Sequence, residues 1–174
     1  MKKTLISVVI ASTVLFSAAS ALAADGTVNF TGEIIDTACT VDIGVGNSMT
    51  VDLGRVSKTA FTGPGSKASA TKFVLKLKEC PSAVKSATVK FDGVGYSGDD
   101  SVLALTAGAG VAEGVGIELS DSTQVKLPLF TASNSVSLNE GENSIPFYAR
   151  YIQMAELVSP GPANSVAQFT LNYN

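Results

Sequence analysis

The chain has 174 residues, of which 45% are hydrophobic and 16% charged, with a formal net charge of −3 and no histidine. Without histidine there is no Ser-His-Asp or Cys-His nucleophile pair, and an acidic balance offers nothing to attract nucleic-acid phosphates or anionic lipid. Carboxylate-pair or Ser-Lys chemistry stays formally open, with only scattered acids behind it.

In chain order, the first feature is an export signal. Lys2 and Lys3 precede an uncharged, mostly apolar run from Leu5 to Ala19, and Ala21-Leu22-Ala23 supplies small residues where a signal peptidase reads them. The run is shorter than the about 20 apolar residues a membrane-spanning helix needs. Residues 1–23 are therefore read as a signal peptide. The mature chain begins at Ala24, where ten basic residues face fifteen acidic ones, a balance of −5. Its length suits a single domain. An exported chain with two cysteines, Cys39 and Cys80, predicts one structural disulfide. Metal binding lacks ligands, because there is neither histidine nor a C-x-x-C pair.

The remainder reads as all-β, with short runs rich in Val, Ile, Thr and Phe between Gly, Asn, Asp, Ser and Pro clusters. Thr27 to Ile35 alternates, with Val28, Phe30, Gly32 and Ile34 on one face. Met49 to Leu53 is a short predicted strand. Residues 60–70 form a loop around Pro64. Lys72 to Cys80 sets Phe73, Leu75 and Leu77 against Lys72, Lys76 and Lys78. Further strands are predicted at Ala87–Phe91, Val115–Leu119, Asn143–Tyr151 and Val166–Tyr173, the last with Phe169, Leu171 and Tyr173 on one face. Alternation of period two means one buried and one wet face per strand, as in a sandwich. Strands at both chain ends are edge candidates, open to pairing with another chain. From pattern alone, Thr27–Ile35 reads first as an ordinary strand of a self-contained sandwich.

Other signals are weak. Gly108, Gly110 and Gly114 miss the G-x-G-x-x-G spacing by one residue and no helical pattern follows. Asp99-Asp100 lacks a third spaced acid for calcium and reads as an exposed turn. Asn29-Phe30-Thr31 is formally a glycosylation sequon.

Several segments together resemble a known family. "GTVNFTGEIIDTACTV" (Gly26–Val41) is similar to the N-terminal extension and first cysteine of pilins assembled by a periplasmic chaperone and an outer-membrane usher, such as the major subunits of type 1, P and long polar fimbriae. "VDLGRVS" (Val51–Ser57), "LKLKEC" (Leu75–Cys80), "GVGIEL" (Gly114–Leu119), "IPFYARY" (Ile145–Tyr151) and "FTLNYN" (Phe169–Asn174) follow in the family's order. Gly161 stands fourteenth from the end, counting Asn174 as one, where the family also places a glycine.

The resemblance implies an incomplete immunoglobulin-like β-sandwich, six strands plus an N-terminal donor strand. Residues 24–35 would be the donor extension and 36–174 the pilin domain. Val28, Phe30, Gly32 and Ile34 would be offered to a neighbour. Phe169, Leu171 and Tyr173, with Gly161, would belong to the groove that receives the next copy. The implied partners are other copies of the chain, a periplasmic chaperone, an outer-membrane usher and minor or tip subunits. The implied location is the cell-surface fimbrium, with no enzyme activity and no cofactor. The competing function is a small exported carbohydrate-binding module. It would rest on Tyr96, since there is no tryptophan.

Overall fold

The structure, a computed structural model, describes residues 25–32, 34 and 38–174. The signal peptide, residues 1–23, lies outside them, as do Glu33 and Ile35 at the end of the first predicted strand. The chain divides into two units after Ile34, each described by itself. In the first, the described residues adopt no regular secondary structure.

Among its described residues the second unit is all-β apart from two single-turn 3-10 segments, Val45–Asn47 and Lys58–Ala60. Its strands are β1 (Thr40–Val41), β2 (Thr71–Cys80), β3 (Ser86–Asp92), β4 (Gly95–Tyr96), β5 (Asp99–Leu103), β6 (Val115–Ser120), β7 (Val136–Ser137), β8 (Gly141–Gln153) and β9 (Gln168–Tyr173). They form a six-stranded sheet in the order β1-β2-β8-β6-β5-β4 and a three-stranded sheet in the order β7-β3-β9. Every named pairing is antiparallel.

The core follows from the alternation. Leu75 and Leu77 of β2, Ile145 and Phe147 of β8, and Ile117 and Leu119 of β6 face Ala87, Val89 and Phe91 of β3. Phe91 meets Phe147 across the sandwich with ring centroids 5.1 Å apart, edge to face. Each fully buried side chain of this size stabilises the fold by about 1.5–3 kcal/mol. Cys39 and Cys80 are bonded, closing a loop of 41 residues just ahead of β1 and at the end of β2. A loop of that length is worth up to roughly 4 kcal/mol through the entropy it removes from the unfolded chain.

Four expectations change. Over its described residues, Thr27–Ile35 forms no strand. Met49–Leu53 is not a strand: its side chains alternate between half-buried and exposed, but no neighbouring strand supplies a hydrogen-bonded ladder. Asp99-Asp100 is not a turn but the start of β5, because Leu103 pairs with Ile117 and draws the segment onto the sheet edge. The last strand begins at Gln168 instead of Val166.

Candidate functional site

The sheet edges differ in length. In the larger sheet the two outer strands, β1 and β4, are two residues long, and so is β7 in the smaller one. The remaining edge is β9, six residues long and paired among the described residues only with β3, from Ala87–Tyr173 to Asp92–Gln168. A long unpaired edge is a template for another strand.

The inner face of β9 is also unfinished. Phe169, Leu171 and Tyr173 point toward the core yet are only half-buried, while Gln168, Thr170 and Asn172 between them are exposed. Met49 and Leu53 touch the same core and are likewise half-buried, as is Val51 between them. From Ile43 to Phe61 the backbone hydrogen bonds among the described residues are all local, as from Asn47 N to Gly44 O and from Ala60 N to Ser57 O. Two segments of strand-like alternation therefore border one core, each with an unused backbone edge. Tyr151 and Tyr173 are held by hydroxyl bonds to Ala163 O (2.9 Å) and Cys39 O (3.4 Å). Burial raises both phenol pKa values, with the negative charge of Asp52 adding to the effect at Tyr151, so both hydroxyls stay protonated and donate.

A cleft of about 530 Å³ lies at one end of this region, with Gly54, Val56, Phe61, Tyr151, Val158 and Gly161 among its lining residues. Gly54 directly follows Leu53, and the cleft residue Asn164 shortly precedes β9, so the cleft adjoins both half-buried segments in the chain. Gly161 is required by close packing. A Cβ there would fall against Gly110 O and lie 2.6 Å from Ala112 N and 2.8 Å from Val111 C, all backbone atoms.

The structure thus brings Phe169, Leu171 and Tyr173 onto one face and sets Gly161 in the cleft wall. Val28, Phe30 and Ile34, in the other unit, are 75%, 92% and 99% exposed, and a Cβ on Gly32 would meet nothing within 4 Å. Sequence reading missed Met49, Val51 and Leu53 as site residues. Their alternation was visible, but not that they lack a ladder.

This architecture defines a class: an immunoglobulin-like sandwich, here with the edge of β9 unpaired among the described residues. The chain matches the Fimbrial family, described as fimbrial protein, over residues 28–174. It is 38% identical to the type-1 fimbrial protein, A chain, of Escherichia coli K12, across 99% of this chain and all of that one. It is 36% identical to a probable major fimbrial subunit, LpfA, of Escherichia coli O157:H7, across 86% of this chain and 84% of that protein. Its fold resembles the subunit in a solved chaperone–usher pilus, with a TM-score of 0.66 at 21% identity, covering 87% of this chain and 96% of that one. The chain belongs to the fimbrial protein family and is a structural subunit of extracellular pili.

Proposed function

We propose that the chain polymerises by donor-strand exchange, with the N-terminal extension of one copy filling the open position beside β9 of the next. Strand addition to a sheet edge is the recognised mode of chaperone–pilin complexes. The observation that carries the reading is the six-residue free edge of β9 with its half-buried row Phe169, Leu171 and Tyr173. An inserted strand would satisfy the backbone edge and cover that row at once. Val28, Phe30 and Ile34 are the matching apolar row, and burying each would contribute about 1.5–3 kcal/mol. Gly32 between them has no side chain, which suits close approach of another backbone.

A groove of this kind cannot be left open in transit, which favours a periplasmic chaperone that fills it temporarily and delivers the subunit to an outer-membrane usher. The relatives named as major or A-chain subunits favour the role of a major rod subunit joined to minor or tip subunits. The carbohydrate-binding reading gains no support: Tyr96 is half-buried in β4, its ring 3.5 Å from where a Cβ on Gly116 would stand.

The test is to express the mature protein with and without residues 24–33 and to run it unboiled on a denaturing gel. A ladder of oligomers is expected only from the full chain, because strand-exchanged copies separate through slow unfolding. Soluble monomers from both versions in the absence of a chaperone would refute the proposal.

A further inference from the structure

Gln153 ends β8 and is only 3% exposed. Its side-chain oxygen accepts from Gly63 N (2.8 Å) and from Ser66 Oγ (3.0 Å). Its side-chain nitrogen donates to Ala155 O (2.7 Å) and to Glu156 O (3.3 Å). An amide side chain has two acceptor sites and two donor hydrogens, so the group is fully used. The division of those bonds matters. Gly63 and Ser66 follow the cleft residue Phe61, whereas Ala155 and Glu156 precede the cleft residues Val158 and Gly161. One buried amide thus links the chain leaving one lining segment to the chain approaching another.

The segment running through Phe61 has few other ties. Its preceding backbone, Ile43 to Phe61, makes only local hydrogen bonds among the described residues. The next fixed points are Gly65 N on Gln153 O and Gln153 N on Ser66 O, which secure that segment to β8 without the side chain. The side chain adds the link to Ala155 and Glu156, ahead of the lining residue Val158.

We propose that Gln153 is a positioning residue that sets the width of the cleft and so prepares the end of the groove for an incoming strand. The proposal rests on the strand-exchange reading. A receiving site held in shape beforehand loses less freedom when it is filled, so the brace acts on how readily a strand seats.

The experiment uses the monomeric fraction of the full mature chain, separated from its oligomers, and a labelled synthetic peptide of residues 25–36. It follows the formation of a complex that survives an unboiled denaturing gel, alongside the thermal midpoint of the peptide-free protein. Gln153→Met removes both arms of the brace. Gln153→Glu retains acceptors for Gly63 and Ser66 but, when ionised, has no donor for Ala155 or Glu156. Val84→Ala, at a residue 2% exposed near the Asn174 end of β9, is a destabilised control away from the cleft. Both Gln153 variants are expected to slow uptake by about tenfold, with Val84→Ala within about twofold of the wild type. The proposal is overturned if Gln153→Glu keeps the wild-type rate, since one arm would then suffice. It is also overturned if both Gln153 variants stay within about twofold of the wild type, or if Val84→Ala slows uptake equally. Wild-type protein that takes up no peptide, or takes up a scrambled one as fast, refutes the strand-exchange reading and this proposal with it.

Discussion

Two glycines offer contrasting perturbations. Replacing Gly161 by alanine places a methyl group against Gly110 O, 2.6 Å from Ala112 N and 2.8 Å from Val111 C. None of these atoms is the free end of a side chain, so relief requires the two loops to part. They are laced together by Ala112 N to Pro162 O at 3.0 Å and by Glu113 N to Ser159 O at 3.3 Å. Overpacking costs about 1–3 kcal/mol, and a lost hydrogen bond about 1 kcal/mol more. A total of about 3 kcal/mol would lower the thermal midpoint of a chain this size by roughly 6–12 °C. Circular dichroism melts of Gly161→Ala and wild type measure it. An unchanged midpoint in a native spectrum would refute the close-packing argument. Gly32→Ala should behave oppositely, because a Cβ there meets nothing within 4 Å. Its melt should match wild type, while fibre yield falls if the residue enters a neighbour's groove. Normal fibre yield would remove Gly32 from the donor row.

The remaining predictions concern other parts of the molecule. Phe30, 92% exposed, should tolerate Asp without lowering the thermal midpoint of the monomer while the ladder of unboiled oligomers disappears; unfolding of the monomer would instead show that the residue packs within its own chain. Replacing Cys39 and Cys80 together by serine should cost up to roughly 4 kcal/mol, read by urea denaturation against the reduced and oxidised wild type. Glu118→Ala removes a carboxylate only 2% exposed that lies 2.8 Å from Lys67 Nζ and 3.6 Å from Arg150 Nε. Arg150 is then left with little solvent, whereas the more exposed Lys67 can rehydrate, so the expected loss is about 3 kcal/mol, the low end for breaking a buried pair. Burial by itself would raise the pKa of Asp121, but bonds from the Thr123 hydroxyl, Val125 N, Thr123 N and Asn134 outweigh it and hold the carboxyl below its ordinary value. The stability this provides is present above the unfolded pKa of about 3.9 and is lost as pH falls through the lower folded value. Acid melts of Asp121→Asn should therefore lack part of the wild-type decline below that pH.

The strands that sequence disclosed are those whose alternation coincides with their burial. In β2, Leu75 and Leu77 are core and Lys72 and Lys76 exposed, so the expected Lys72–Cys80 falls within one residue of Thr71–Cys80. The same holds for β8, where Ile145, Phe147 and Ala149 are buried. What escaped depends on neighbours. The opening residues of β5, Asp99 and Asp100, are polar and exposed, and the strand is specified by Val102 and Leu103 packing on β6. All six residues of β6 are buried, including Glu118 on the outward side, because Lys67 and Arg150 fold over it. Met49–Leu53 failed in the other direction: local alternation was right, but a strand exists only where a second backbone completes its hydrogen bonds.

That last failure bears on the site. Proteins that remain monomeric blunt a long sheet edge with a charge, a proline or a covering loop. Gln168 to Tyr173 contains no charged residue and no proline, and it combines a free backbone edge with a row of half-buried apolar side chains. Met49 to Leu53 repeats the deficit on the same core, with Asp52 as its one charge. The inserted strand proposed above would account for both, with one backbone edge for each segment and one apolar face for the core. Two independent defects would need two explanations. The free edge of β9 carries the strand-accepting reading, and the matching deficit at Met49 to Leu53 adds to it.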